Sequence, residues 1–313
     1  MKIIVTGALG HIGSKLIRAL PDEFSNSDII MIDNLSTCRY PSLFNLPKKN
    51  YKFIEGDVTK LDFDPLVDEG DIIIHLAALT DAENSFENRR LVESINYSAT
   101  KNVAKACASN GGKLIYPSST SIYGTQNNVV NENCNKNELN PQSPYAETKL
   151  KEEYLLYDMA ETHKLEYVIF RFGTIYGISP GMRFHTAVNK FCWQAIMQQP
   201  LTVWSTALDQ KRPYLELNDG VNAFIYAIKK EIIDCQIYNV LTSNNTVKDI
   251  LNIIELSIPN IEIEYVEKEI MNQLSYEVSN KKYMEKGFKY NGVMKNSIDE
   301  SLRILSSANN RGL

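Results

Sequence analysis

No apolar run in this chain of 313 residues approaches the ~20 consecutive apolar positions that cross a bilayer, so a membrane-spanning helix is not expected. Positive charge is not in excess either: 33 Lys and Arg stand against 38 Asp and Glu, a net charge of −5. Such a chain has no global basic field for nucleic acid or an anionic membrane surface, and any anionic ligand must be held by a local cluster. Cysteine is sparse and unpatterned. Cys38, Cys107, Cys134, Cys192 and Cys235 are odd in number and lack C-x-x-C spacing, which argues against a disulfide framework and against a bound metal. The chain opens directly on a strand-like run, so no secretory leader is expected, and with reduced thiols the expected location is cytoplasmic. There is no internal repeat and no low-complexity tract.

What is present is the composition of an ordinary globule, 43% hydrophobic and 23% charged. Short β-branched runs at 2–5, 28–32, 51–55, 71–76, 112–117 and 166–171 alternate with amphipathic stretches such as Ile12 to Leu20, stopped by Pro21, and Leu91 to Ala108. That alternation predicts an α/β fold, a doubly wound parallel sheet with helices on both faces. Regularity ends near residue 172. There follow a Gly/Pro turn from Gly177 to Gly181, a helical run 185–198, a strand 201–204, a helix near 219–230 and a strand 237–241 that returns to the main sheet. The expected division is a nucleotide-binding domain of residues 1–171 plus about 214–241, and a smaller substrate lobe of 172–213 and 242–313. Residues 125–140, rich in Asn and Glu, read as an exposed loop.

The run Lys2-Ile3-Ile4-Val5 passes straight into Thr6-Gly7-Ala8-Leu9-Gly10-His11-Ile12-Gly13, and an apolar helical pattern follows. A strand that breaks at glycine and re-enters as a helix builds a diphosphate cradle. Glycine permits the sharp turn and the close approach of phosphate, and the helix start turns free N–H groups and its positive dipole end to the anion. The second run, Asp28-Ile29-Ile30-Met31-Ile32, ends in Asp33, 20 residues after Gly13. A carboxylate there accepts hydrogen bonds from an adenosine ribose and repels a 2′-phosphate, so the expected cofactor is NAD rather than NADP.

Two further motifs carry chemistry. The fifth run ends in Pro117-Ser118-Ser119-Thr120-Ser121, hydroxyls at the carboxyl end of a parallel strand, where open α/β sheets place ligands. In Ser143-Pro144-Tyr145-Ala146-Glu147-Thr148-Lys149, Ser143 suits an N-cap and Pro144 the first helical position. Tyr145 and Lys149 then lie four apart on one helix face. The helix start and the nearby ammonium both favour a Tyr145 phenolate, which makes Tyr145 a candidate general base.

Together these residues resemble the extended short-chain dehydrogenase/reductase family, the NAD-dependent nucleotide-sugar epimerases and dehydratases, whose glycine turn has this T-G-x-x-G-x-x-G spacing. The resemblance implies a Rossmann-type doubly wound parallel sheet with a smaller C-terminal substrate lobe. It implies that Gly7, Gly10, His11, Ile12 and Gly13 hold the cofactor diphosphate. Asp33, Asn34, Leu35 and Ser36 would take the adenosine ribose, Asp57 and Val58 the adenine, and Leu76, Ala77, Ala78 and Asn96 the rest of the cofactor wall. Ser119 matches the catalytic hydroxyl, and Tyr145 and Lys149 match the base and its helper, both also touching the cofactor. The implied reaction takes the proton from a sugar hydroxyl, most often at C4, onto Tyr145, while a hydride leaves the same carbon for NAD.

Departures from the family narrow the reaction. Its dehydratases place Asp-Glu directly after the catalytic hydroxyl, where this chain has Thr120 and Ser121; its 3,5-epimerases use a Cys at the position of Ser121. Oxidation at C4 is what remains, followed by release of the ketone or by its reduction on the other face. Thr120, Arg183, Asn189, Trp204 and Arg212 are the expected substrate contacts. Arg212 would grip a diphosphate through its bidentate fork, and Trp204 would pack the base. Lys190 and Lys211 are open between such a role and solvated surface charge, and His185 between ring-carbon acid/base chemistry and a place in the pocket wall. The segment Ser179 to Trp193 resembles a subgroup from bacterial surface-polysaccharide clusters, which implies a GDP-linked heptose, GDP-D-glycero-D-manno-heptose, of capsule synthesis. The alternatives are a UDP-sugar 4-epimerase and a non-catalytic NAD-binding regulator. Family members pair as homodimers through the helices near 91–108 and 145–163, so a homodimer is expected.

Overall fold

The computed structural model describes residues 1–80, 85–126, 128–267 and 275–308; of the loop expected at 125–140, Asn127 lies outside the described residues. Seven strands form one parallel sheet: β1 (Lys2–Thr6), β2 (Asp28–Asp33), β3 (Tyr51–Glu55), β4 (Ile72–His75), β5 (Lys113–Ser119), β6 (Glu166–Phe172) and β10 (Ile237–Val240). Their order, β10-β6-β5-β4-β1-β2-β3, reverses direction between β1 and β4. Carboxyl ends of strands at such a switch point open a crevice. The inner strands are buried on both faces, which explains why they read as unbroken apolar runs and not as alternations; the edge strand β3 is partly exposed along its length.

One face is covered by α1 (His11–Glu23) and α5 (Leu217–Lys229), the other by α2 (Arg89–Asn110) and α3 (Pro144–His163). Helix α1 does not stop at Pro21, as the sequence suggests, but runs one half-turn further to Glu23. Proline leaves the carbonyl four residues back without its N–H partner. That carbonyl, Ile17 O, instead accepts from the Tyr51 hydroxyl at 2.7 Å, so the proline is absorbed within the last turn. Helix α3 begins as expected, with Ser143 Oγ accepting from Ala146 N at 3.1 Å and Pro144 in the first turn.

The remaining elements make the lobe. A three-stranded sheet joins β7 (Thr174–Tyr176), β9 (Lys211–Glu216) and β11 (Ser243–Thr246), and β8 (Leu201–Trp204) pairs with β12 (Ile263–Val266). They enclose an apolar cluster with α4 (Ala187–Ile196), α6 (Val247–Ser257) and α8 (Met294–Leu305), centred on Phe191, Cys192, Val203, Ile250 and Ile298. The division at 242 is less clean than the sequence suggests. Tyr283, in the short helix α7 (Lys281–Glu285), and Phe288 pack on Phe170, Phe224 and Tyr238 of the main domain, with Tyr283 ring centroids 5.1 Å from Phe170 and 4.8 Å from Phe288. The sheet face beyond α5 needs an apolar cover, and these aromatics supply it. No helix among the described residues is long and apolar enough to cross a membrane.

Candidate active site

The crevice at the switch point is lined by the glycine turn, by Asp33, Asn34, Ser36 and Arg39 after β2, by Asp57 and Val58 after β3, and by Leu76 to Thr80 after β4. Gly7 has φ +64°, and a Cβ there would sit 2.7 Å from Ala77 N; a Cβ on Gly13 would sit 2.4 Å from Gly7 O. The turn is therefore filled by backbone. Helix α1 has no side-chain cap, which leaves the N–H groups of its first turn to the crevice, where His11, Ile12 and Gly13 stand. Asp33 closes the far side: Oδ2 accepts from Leu9 N at 3.0 Å and Oδ1 from Leu35 N at 2.9 Å. These residues fit a dinucleotide, with a backbone cradle for the diphosphate and a fixed carboxylate for the ribose.

Two members of the expected cofactor set spend a side-chain oxygen on neighbouring residues of the wall. Asn96 is buried; its amide accepts from Leu79 N at 2.8 Å and donates to Leu79 O at 2.9 Å, so it pins the wall after β4 and does not face the crevice itself. Asp57 turns one oxygen back on Thr59, whose N–H and hydroxyl hold its carboxyl below the usual range. The imidazole of His11 is buried, with Nε2 at 2.8 Å from Gly177 O, and burial lowers its pKa to about 4. It is neutral and Nε2 carries the proton.

The residues expected to carry the reaction converge at the end of β5. Ser119 Oγ lies 2.8 Å from Ser121 Oγ and accepts from Ser121 N at 3.2 Å, which fixes its rotamer at the strand terminus. Tyr145 is half-buried in the first turn of α3. Lys149 Nζ lies 5.9 Å from the Tyr145 ring centroid, donates to the Tyr116 hydroxyl at 2.8 Å and to Pro117 O at 3.2 Å. One ammonium thus ties the helix carrying Tyr145 to the strand carrying Ser119. Below it, Arg171 bridges Glu153 of α3 and the Tyr123 hydroxyl, an inner clamp that sets α3 against β6.

The expected substrate contacts divide. Trp204 and Arg212 come together, the guanidinium 6.0 Å from the indole centroid, at the ends of β8 and β9. Thr120 is buried, with its hydroxyl donating to Phe172 O at 3.2 Å, so it braces the strand end. Asn189 is fully buried and spends both ends of its amide on backbone, accepting from Gly177 N and donating to Arg183 O. It shapes the 177–183 segment and offers nothing to a ligand. Arg183 stands in the dinucleotide crevice, hydrogen-bonded to the Thr80 hydroxyl, and not in the lobe. His185 is exposed ahead of α4. Sequence reading missed Tyr116, Glu152 and Tyr276. The Tyr276 hydroxyl lies 3.4 Å from Thr120 Oγ1 and feels the charge of Arg212. Only Glu152 carried a signal, a carboxylate three residues after Lys149.

Residues 3–240 match the NAD dependent epimerase/dehydratase family. An uncharacterized UDP-glucose epimerase of Bacillus subtilis is 31% identical over 74% of this chain and 73% of its own. A dTDP-D-glucose 4,6-dehydratase of Dictyostelium discoideum is 31% identical over 80% of this chain, and the match spans 62% of that protein's length. The solved structure of a UDP-glucuronic acid 4-epimerase from Bacillus cereus, in complex with UDP-glucuronic acid and NAD, superposes with a TM-score of 0.88 over 98% of this chain and all of that one, at 24% identity. The chain belongs to the NAD-dependent epimerase/dehydratase family, with NAD as its cofactor.

Proposed function

We propose that this chain oxidises the C4 hydroxyl of a nucleotide sugar to the ketone. The observation that carries this reading is the position of Lys149, whose ammonium spans from the Tyr145 ring to the β5 terminus that ends in Ser119. Ser119 holds the sugar oxygen, Tyr145 takes its proton, and Lys149 stabilises the phenolate that Tyr145 must present. NAD, when bound, takes up the hydride. Gly7, Gly10, Gly13, Asp33 and the wall from Leu76 to Ala78 would hold it. Retention of all three reaction residues argues against a non-catalytic regulator.

An elimination is disfavoured by the neighbours of Ser119. Ser121 hydrogen-bonds Ser119 and Thr120 turns to Phe172 O, so neither position supplies an acid. In the finer reading the substrate is a GDP-linked heptose and the ketone is released, supported by the character of the Ser179 to Trp193 segment. A second reading, epimerisation of a UDP-sugar at C4, is supported by the UDP-linked names of the relatives. In both, Arg212 and Trp204 take the diphosphate and base. The reading includes a homodimer through α2 and α3, whose outward faces expose Leu91, Tyr154 and Tyr157; light scattering tests it.

The deciding experiment incubates the protein and NAD with a panel of GDP- and UDP-linked sugars, GDP-D-glycero-D-manno-heptose among them. Accumulating NADH with a 4-keto sugar supports the dehydrogenase. A C4 epimer without net NADH supports the epimerase. No C4 chemistry on any member of the panel overturns the proposal.

A further inference from the structure

Behind the reaction residues lies a closed polar cluster that the mechanism above does not use. Glu152, on α3 three residues after Lys149, is 1% exposed. Its Oε1 accepts from the Thr100 hydroxyl of α2 at 2.5 Å. Its Oε2 stands 3.6 Å from Lys149 Nζ, and the Tyr116 phenol, which accepts from the same ammonium, turns its proton to this carboxylate. Lys149 is itself buried, with its side chain 5% exposed. The neighbouring carboxylate, Glu153, is committed to Arg171 through two hydrogen bonds. The other groups around the ammonium are neutral: burial and the Glu152 charge hold Tyr116 far up in its phenol form, and burial together with Lys149 lowers His75 to about 3. His75 Nδ1 also pairs with the Thr6 hydroxyl at 2.7 Å.

A buried ammonium needs a compensating charge, and hydroxyl and carbonyl acceptors supply only dipoles. We propose that Glu152 is the counter-ion of Lys149: a positioning residue that holds the ammonium in its buried seat beside Tyr145 and thereby sustains the Tyr145 phenolate. Two effects oppose each other when the carboxylate is removed. Loss of a negative charge favours the phenolate directly, but Glu152 is seven residues from Tyr145, ~10 Å along the helix. Release of the ammonium from its seat acts from within the adjacent turn and is the larger effect. The net result is a phenolate that forms at higher pH.

The proposal rests on the assignment of Tyr145 as base, and its test is readable without a substrate. The tyrosinate absorption of the NAD-loaded protein is titrated against pH, and that of Tyr145→Phe is subtracted to isolate Tyr145. In Glu152→Gln, with the same subtraction, the midpoint is expected to rise by about one pH unit or more. Where a substrate is known, kcat near neutrality falls by about tenfold per unit of that shift, with KM unchanged. Thr100→Val, which strips only the hydrogen bond to Oε1, shifts the midpoint the same way by less, and serves where Glu152→Gln does not fold. A merely structural role predicts lowered thermal stability with an unmoved midpoint. An unmoved or lowered midpoint in a folded variant overturns the inference. A panel of sugars that shows no C4 oxidation overturns the functional reading and leaves this titration standing.

Discussion

His11 Nε2 lies 2.8 Å from the carbonyl oxygen of Gly177, a contact that joins the first residue of α1 to a segment 166 positions further on. The glycine turn and the 177–183 segment are thereby one object. Ser179 Oγ donates to His11 O at 2.8 Å, and Gly181 N donates to Ser14 Oγ at 2.9 Å. The loop that would hold a diphosphate is thus braced from the side of the lobe.

The buried imidazoles make stability depend on acid in a calculable direction. His11 and His75 have folded-state values of about 4 and about 3, below the ordinary 6.5. The unfolded chain binds these protons first, so stability is intact above pH ~6.5 and is lost as pH falls from there toward each folded value. The expected slope is up to ~1.4 kcal/mol per pH unit per histidine. Urea unfolding between neutrality and pH ~5 measures it, and His11→Gln should remove about one proton's share of the slope. Equal slopes in the two proteins would show that His11 titrates freely when folded.

Gly181 is held against the cradle by space and not by φ. A Cβ there would sit 2.3 Å from Leu9 O and 2.5 Å from Gly10 O, both backbone atoms that cannot swing aside. Gly181→Ala is expected to cost ~1–3 kcal/mol and to weaken NAD binding by displacing the turn. Gly70 provides the contrast: it has φ +78° with no atom within 4 Å of a Cβ. Gly70→Ala should lose ~1 kcal/mol to backbone strain and leave NAD affinity alone. Calorimetric titration with NAD on both variants separates the two effects, and equal affinities would defeat the argument.

Tyr145→Phe removes the proton acceptor and leaves the packing of the ring. Expected is a loss of turnover on the order of 10²–10⁴-fold, with NAD affinity retained. Full activity in the variant would transfer the role of base to another group.

The main sheet was readable because its inner strands are buried on both faces, and each of the six runs lies within a residue or two of an observed strand. The second sheet was not. β11 is Ser243-Asn244-Asn245-Thr246, a segment with no apolar signal, and it is a strand because Lys211 to Tyr214 pairs with it. Residue identity was a better guide to which side chains gather at the end of β5 than to those of the lobe. Tyr145, Lys149 and Ser119 carry their meaning in local spacing. Asn189 and Arg183 took theirs from a segment folded back across the glycine turn, which no local pattern encodes. Glu152 was hidden for a different reason: a carboxylate on a helix reads as surface until its partner Thr100, 52 residues earlier, is seen to bury it.

Asp33 is expected to set which dinucleotide is accepted, and its geometry indicates how far that can be altered. Both of its oxygens are occupied by backbone, from Leu9 and from Leu35, so the carboxylate cannot rotate away from an incoming 2′-phosphate. Arg39 lines the same crevice, near enough for the Asp33 charge to act on it. Asp33→Asn keeps one acceptor oxygen and most of the shape, but removes the repulsion and leaves Arg39 to meet a phosphate. The preference for NAD over NADP is therefore expected to narrow by about tenfold, ~1.4 kcal/mol, with much of the change on the NADP side. Adding Arg39→Ala should take that gain back, because the cation that would receive the phosphate is gone. Dissociation constants for both dinucleotides across the two variants test this, and a preference unchanged in Asp33→Asn would mean that shape rather than charge excludes NADP.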